Sequence, residues 1–509
     1  MFALRPYQQQ VIRDCYSYIR QGTKRILIFA PTGAGKTIII TRVINDAVNK
    51  NRRVLFIVHR DILVSQTYSK LKAVNLECGF IKSGWQENIT APVQIASVQS
   101  LPKRKEWLES SFDLIICDEA HITAFSKIFR QMLDSIFPEA IYIGLTATPW
   151  RLSKKESMGD IYHALVCAPM PSQLIEAGFL IKPSYYSLNF QAELEGVDLT
   201  NGDYNLHQLS NICDRSELIE QVVNDWYDLG YSVPTIAFTV SVAHAEHMTE
   251  AFKNHGVIAA AVTGKTPIPQ RMKLYKDLAD GSLKVLTSCA ALSEGFDVPE
   301  VGCVILARPT KSKALYFQQI GRGLRLAPNK RGCIVLDQSQ NVLEHGFIED
   351  LRREDVELFQ SESSGSSAEN KPPLKPCPKD RGGCGAYIYA VYLKCPNCGF
   401  NFEVEKLVTV LGNNRLVRSQ DEPIISFYRH KLREAYRGAL APPWAAYQVK
   451  DKYGFMPPFD WGRGAIFNHQ MDEVEAYRRH LSRIANKRNK DSDWIELFML
   501  LEFGKQAIQ

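Results

Sequence analysis

Short apolar runs without polar alternation recur along the chain. Longer stretches, whose apolar residues return every three or four positions, separate them. In a first block the runs are Arg25–Ala30, Val54–Val58, Val93–Ala96, Asp113–Cys117 and Ile141–Leu145. A second block repeats the habit at Thr235–Phe238, Val257–Ala261, Lys284–Leu286, Val301–Leu306 and Cys333–Leu336. Runs rich in Val and Ile suit strands buried on both faces. Strand–helix alternation predicts a parallel sheet covered by helices on both sides, so the expected class is α/β with two such units in tandem.

The blocks set the expected domain plan: a first α/β domain over 1–168, a connector over 169–215 and a second α/β domain over 216–358. The connector holds Pro169, Pro171 and Pro183 and a polar stretch around Glu193–Asn205. "SESSGSSAENKPP", Ser361 to Pro373, has the composition of a flexible linker, placed at 359–374. A cysteine-bearing stretch follows at 375–404. A small, mainly helical domain is expected over 405–509, with helical spacing near Ile425–Gly438 and Met471–Arg488. Its Trp444, Tyr447, Tyr453, Phe455 and Trp461 suit either the core of that domain or stacking on bases.

Composition narrows the class. A chain of 509 residues exceeds what one core supports. Hydrophobic content of 45% and charge of 23% are ordinary for a globular chain. The net charge of +6 permits a polyanion partner without demanding one. Residues 405–509 hold 17 Lys+Arg against 13 Asp+Glu, most of that excess. The N-terminal residues lack a signal pattern, and no apolar run approaches the length of a membrane span, so a cytoplasmic, nucleoid-associated protein is expected. Of 12 cysteines, eight stand singly in apolar surroundings, as buried thiols do.

Candidate chemistry begins at "APTGAGKT", Ala30 to Thr37, between an apolar run and a helical stretch. Gly33 and Gly35 let successive backbone N–H groups turn toward a phosphate, and the helix N-terminus adds its positive end. Lys36 would reach the β- and γ-phosphates of ATP, and the Thr37 hydroxyl would bind Mg²⁺. The strict pattern has glycine where Ala30 stands. "LIICDEAH", Leu114 to His121, ends a strand in two carboxylates. Asp118 would hold Mg²⁺, and Glu119 would orient and deprotonate the attacking water. In the second block, "ALSEGFDVP" (Ala291 to Pro299) lies just past a strand end, and "QQIGRGLR" (Gln318 to Arg325) comes after it. Arg322 and Arg325 lie three apart on one face and can act as fingers neutralising charge on a transferring phosphoryl group.

The four remaining cysteines, Cys377, Cys384, Cys395 and Cys398, fall within 22 residues. "CPNCG" is a zinc-knuckle turn, with Gly399 free to take positive φ. The first pair is separated by six residues, a stretched knuckle in which Gly382 and Gly383 supply the bend. Four thiolates suit a closed, structural Zn²⁺ site. A redox CxxC is the rival, and it would want a thioredoxin-like βαβ context.

"LRPYQ", "PTGAGKT", "FIVHR", "SVQS", "DEAH", "TATP", "SEGFD" and "QQIGRGLR" together resemble superfamily 2 helicases, in order and spacing, over about residues 1–350. Within them the chain is most similar to RadD-like bacterial helicases, with relatives among type III restriction subunits and XPB-type translocases. The resemblance implies two tandem RecA-like domains with ATP and Mg²⁺ in the cleft between them, followed by a zinc ribbon as in RadD-like relatives. It also implies nucleic acid lying across both domains, DNA ahead of RNA. It makes Gln8 the adenine reader, Gly295 and Asp297 nucleotide contacts from the second domain, and Thr146, Thr148 and Gln318 the coupling residues. His59, Arg60, Ser97, Gln99 and Thr239 become nucleic-acid contacts, each otherwise suited to a helix cap. A single-strand-binding or repair protein is a further candidate partner, and a monomer is compatible with such an engine. A nucleic-acid-binding ATPase clamp without unwinding, or an RNA helicase, stays open as the alternative.

Overall fold

The apolar runs of the first block become the interior strands of one parallel sheet. In the computed structural model the described residues are 3–59, 61–81, 88–103, 107, 110–150, 156–187, 194, 196–200, 202–230, 233–289, 296–359, 373–402, 424–437, 442–453, 478–479, 481–482 and 495. The chain divides into two units, Met1–Ser361 and Glu362–Gln509.

In the first unit β1 (Arg25–Phe29), β2 (Val54–Val58), β3 (Cys78–Ile81), β4 (Val93–Ser97), β5 (Leu114–Cys117), β6 (Ile141–Thr146) and β7 (Ala164–Cys167) form a seven-stranded sheet. Its order is β3-β4-β2-β5-β6-β1-β7, with every pairing parallel. β2 and β4 are buried at every residue; β2 is apolar throughout, and β4 is apolar but for the buried Gln94 and Ser97. The edge strands β3 and β7 were not among those runs. Each has only four residues, and β3 carries Gly79, whose missing Cβ makes room for the Asn88 carbonyl and the Gln94 amide.

The segment assigned to a connector does more than join. It supplies β8 (Pro183–Ser187), which pairs with the last strand of the second sheet, and a hairpin of β9 (Leu199–Thr200) and β10 (Asp203–Tyr204). β8 alternates buried and more exposed residues, an edge-strand pattern with no apolar run to announce it. The second sheet adds β11 (Thr235–Phe238), β12 (Ala259–Ala261), β13 (Val285–Ser288), β14 (Cys303–Leu306) and β15 (Cys333–Asp337), in the order β12-β13-β11-β14-β15-β8, all parallel. Helices pack on both. Trp226 of the helix Ser216–Leu229 is fully buried against Phe252 of the helix Val242–Asn254, and its indole N–H donates to Thr235 Oγ1 at 2.8 Å.

In the second unit, β16 (Leu374–Pro376) pairs antiparallel with β17 (Tyr387–Tyr389), and two helices run Ile424–Arg437 and Pro442–Tyr453. Of the expected helix at 471–488, residues 478–479 and 481–482 are helical and the rest lies outside the described residues. Tyr447 is 55% exposed and Trp444 half-buried, while Phe455 and Trp461 lie outside the described residues. Among the described residues no helix is long and apolar enough to cross a membrane.

Candidate functional site

β1 delivers the chain into the loop 30–35, and the helix Lys36–Val48 begins directly after it. Gly33 (φ 88°) and Gly35 (φ 80°) both occupy the left-handed region that side chains resist. They are also tightly placed. A Cβ at Gly33 would lie 2.7 Å from Leu180 Cδ2, and one at Gly35 would lie 2.5 Å from Gln8 Nε2. Lys36 Nζ donates to the Ala30 carbonyl at 3.2 Å. Burial pulls its ammonium below the usual lysine range, opposed by Glu119 and Asp118; Arg322 and Arg325 pull it down further.

Gln8 is 1% exposed beneath this loop. Its Oε1 accepts from Arg5 N–H at 3.0 Å, and its Nε2 donates to the Ala34 carbonyl at 3.2 Å. The Tyr7 hydroxyl donates to the same carbonyl at 2.8 Å. One amide N–H and one lone pair of Gln8 are left beyond these bonds.

β5 ends at Cys117, so the next two side chains leave the sheet at its C-terminal edge, where open parallel sheets hold ligands. Asp118 is pushed up to about 6 by burial and by Glu119 beside it, against the pull of Lys36, the Glu119 N–H and Lys70. Glu119 itself has φ 45°, a backbone conformation rare outside glycine. Its buried Oε2 has no hydrogen-bond partner among the described residues, and His121 Nδ1 stands 3.5 Å from it. That same His121 nitrogen is 3.1 Å from Thr146 Oγ1, which donates to the Thr148 carbonyl at 2.8 Å and accepts from Thr148 N–H at 3.0 Å. His121 is part of "DEAH", but residue order assigns it no role; the structure places it between Glu119 and the end of β6.

The second sheet contributes from the far side. The helix Lys313–Gly321 ends at Arg322, whose Nη1 donates to the Phe296 carbonyl at 2.9 Å. Arg325 bonds the same carbonyl at 3.3 Å and forms an ion pair with Asp297. Asp297 also lies 3.7 Å from Lys70 of the first half. A Cβ on Gly321 would lie 2.4 Å from Thr32 Cβ, so the helix end rests directly on the phosphate loop. Trp150, two residues after Thr148, packs edge-on to Phe317 at 5.3 Å beneath Lys313 Nζ, 4.2 Å above its ring. Lys36, Asp118, Glu119, Arg322 and Arg325 thus converge from two sheets on one cleft. Lys70 and Trp150, which no motif flagged, help close it.

Residues 1–151 match the family described as "Type III restriction enzyme, res subunit", and residues 217–327 match "Helicase conserved C-terminal domain". The chain belongs to the superfamily 2 helicases. Residues 152–216 fall outside both matches. Among helicase relatives, IRC3 of Saccharomyces cerevisiae, described as an ATP-dependent helicase, is 31% identical over 381 residues, covering 70% of this chain and 55% of IRC3. The chain therefore spans little more than half of that relative. The DNA 3'-5' translocase XPB2 of Sulfurisphaera tokodaii is 22% identical over 360 residues, covering 63% of this chain and 78% of XPB2. A fragment structure of an HsdR subunit of a type I restriction enzyme from Vibrio vulnificus YJ016 shares the fold, with a TM-score of 0.55 at 22% identity, covering 69% of this chain and 68% of that one.

In this superfamily 2 chain the residues expected along a nucleic-acid track divide by exposure. Ser97 is fully buried, and its hydroxyl lies 3.2 Å from that of Ser100. Thr239 is also fully buried and donates to the Ser241 carbonyl at 3.1 Å. Both hydroxyls shape their own turns. Gln99 is exposed, His59 and Gln318 are half-buried, and Ser241 caps the helix Val242–Asn254 by accepting from His244 N–H at 3.1 Å. Arg60 and Gly295 lie outside the described residues.

In the second unit the Sγ atoms of Cys377, Cys384, Cys395 and Cys398 lie within 4.8 Å of one another. Two of the separations are 3.7 Å (Cys377–Cys398) and 3.8 Å (Cys384–Cys395). Four sulfurs at the usual Zn–S distance of about 2.3 Å sit about 3.8 Å apart at tetrahedral corners, so the set is compatible with zinc. Gly399 takes φ 80°, as the second knuckle requires. In the first knuckle the bend falls on Gly382 (φ 86°) and Gly385 (φ 75°), whereas Gly383 serves by its size: a Cβ there would lie 2.5 Å from Cys377 Sγ. Asn397 Nδ2 donates to Cys384 Sγ at 3.2 Å, a bond that steadies a thiolate.

Proposed function

We propose that this chain hydrolyses ATP in the cleft between its two parallel sheets and uses the closing of that cleft to translocate along, or separate, DNA strands. The observation that carries the reading is the convergence of Lys36, Asp118 and Glu119 from one sheet with Arg322 and Arg325 from beside the other. Loop N–H groups at the helix N-terminus and Lys36 would hold the phosphates. Gln8 would read adenine with what remains of its amide, and Gly295 and Asp297 would contact the nucleotide from the second half. Thr37 and Asp118 would hold Mg²⁺, and two adjacent buried carboxylates, one with its pKa pushed up to about 6, are a donor set that wants a cation. Bound magnesium would neutralise charge on the phosphate oxygens. Glu119 would orient and deprotonate the attacking water, steadied by His121. Arg322 and Arg325 would meet charge on the transferring group, and Thr146, Thr148 and Gln318 would pass closure to the strand-holding surface.

That surface would include His59, Arg60 and Gln99, gripping the backbone rather than bases, with Ser97 and Thr239 shaping its turns. The named activity of XPB2 and the restriction-subunit relatives support DNA over RNA. The four cysteines would hold a structural Zn²⁺, so that metal supplies folding energy to a small unit that grips DNA or a protein such as a single-strand-binding protein. Such a protein would work on DNA in the cytoplasm.

Turnover measured with single-stranded, duplex and forked DNA and with RNA, alongside strand displacement, tests the reading. Lys36→Ala and Glu119→Gln should each abolish turnover, and Glu119→Gln should still bind ATP. Turnover within tenfold of wild type in either variant would overturn the site. Wild type that hydrolyses ATP on DNA yet never separates strands or displaces a roadblock would leave the clamp reading.

A further inference from the structure

The β9–β10 hairpin lies outside both family matches and carries none of the motifs, yet it reaches the loop that launches the arginine-bearing helix. Asp203 Oδ2 accepts from the Thr310 hydroxyl at 2.8 Å, and Oδ1 accepts from Lys311 N–H at 2.7 Å. Arg308 Nη2 stands 3.9 Å from the same carboxylate, and Lys311 Nζ lies 5.4 Å above the ring of Tyr204, the next residue of the hairpin.

The loop is held on its other faces by the helix Asn341–His345. Thr310 N–H donates to Asn341 Oδ1 at 3.0 Å, and the Thr310 carbonyl lies 2.8 Å from His345 Nε2. The Thr310 hydroxyl also accepts from Ser312 N–H at 3.0 Å, and Ser312 caps the helix Lys313–Gly321 by accepting from Leu315 N–H at 3.2 Å. Asp203 therefore ties the fixed base of that helix to the hairpin in the β8-to-β11 connection, through its carboxylate.

We infer that Asp203 is a positioning residue for ATP hydrolysis: the hairpin clamps residues 308–311 and so aims Arg322 and Arg325 at the phosphate loop. This rests on the cleft being the site of turnover. The lever is the helix. Nine residues span about 13 Å, so a tilt of about 10° at the base moves the arginine end by about 2 Å. A misplacement of about 1 Å at a reacting centre can cost about 100-fold in rate.

The test uses the full chain with DNA present. Asp203→Ala should lower kcat by about 10- to 100-fold while KM for ATP stays within about threefold. Asp203→Asn keeps an acceptor for Lys311 N–H but loses the charge facing Arg308, and should fall between. Because Asp203 acts through the two arginines, adding Asp203→Ala to the Arg322→Ala, Arg325→Ala double variant should cause no further loss of rate. A purely structural role would give multiplying losses and a lowered melting temperature, and would overturn the inference. An unimpaired Asp203→Ala beside an impaired Arg325→Ala would overturn the hairpin's role and leave the site standing. An unimpaired Arg325→Ala would overturn the arginine assignment and the inference with it.

Discussion

Gly321→Ala isolates cleft closure from nucleotide binding. Gly321 ends the helix that carries the arginines, and its missing Cβ is what lets that helix touch the phosphate loop. The added carbon would sit 2.4 Å from Thr32 Cβ, 2.7 Å from Cγ2 and 3.0 Å from Oγ1. Carbon atoms pack best at about 3.5–4.0 Å, so helix and loop must part by about 1 Å. Rotating the Thr32 side chain offers no escape, because the closest atom is its Cβ, fixed to the backbone. A retreat of about 1 Å by Arg322 and Arg325 predicts a loss of kcat near 100-fold. Helix propensity runs the other way, alanine being favoured over glycine by up to about 1 kcal/mol, so the melting temperature should hold or rise. The loop N–H groups and Lys36 are untouched, and a fluorescent ATP analogue should bind within about threefold of wild type. The assay is steady-state ATP turnover with DNA, beside analogue binding and thermal melting. Adding Thr32→Gly removes all three clashing atoms and should restore part of the rate. Gly321→Ala turning over at more than a third of the wild-type rate, or losing nucleotide binding in step with turnover, would refute the claim that this contact sets the closed cleft.

Other perturbations address single groups. His121→Ala removes the imidazole 3.5 Å from Glu119 Oε2 and should lower kcat about tenfold with KM for ATP unchanged, read from the same assay. Without metal Asp118 sits above its ordinary value, at about 6, so a Mg²⁺ ion entering this site must displace a proton and its affinity should fall as pH drops through about 6; a Mg²⁺ titration of nucleotide-bound protein with no pH dependence between 5 and 7 would contradict this. The stability effect has the opposite sign: without nucleotide or metal the native state binds the extra proton, so this carboxyl favours the fold as pH falls from about 6 toward 3.8, and Asp118→Asn should remove that dependence from pH-resolved melting curves. Gly383→Ala places a carbon 2.5 Å from Cys377 Sγ and should lower bound zinc from one per chain, as should Cys395→Ser with Cys398→Ser; metal analysis showing full zinc in the double variant would remove the site.

What could be read from residue order, and what could not, follows from where each signal originates. β2, β4 and β11 are buried on both faces, and burial of that kind writes itself into sequence as short runs dominated by apolar residues, with Gln94, Ser97 and Thr235 the buried polar exceptions. The edge strands β3, β7 and β8 meet a partner on one side only, and their four or five residues carry no comparable run. The candidate cluster could be assembled from residue order because each member sits at a fixed step from a strand end: Lys36 after β1, Asp118 and Glu119 after β5. Side-chain direction was not legible. Ser97 and Thr239 occupy turns whose own hydrogen bonds turn the hydroxyls inward, a choice made by backbone geometry that residue type leaves open. Asp203 is further out of reach, since its partners at 310 and 311 are over a hundred positions away and a lone Asp in a polar stretch has no spacing to betray it. The first cysteine pair shows the converse. Six intervening residues look too many for a knuckle, but a tight turn at Lys379–Arg381, left-handed glycines at 382 and 385 and bonds from Gly383 N–H to Pro378 and Gly385 N–H to Cys377 absorb the excess. The ligand geometry is thus set by where the chain re-enters the site, and glycine content between the ligands is a better guide to it than their separation.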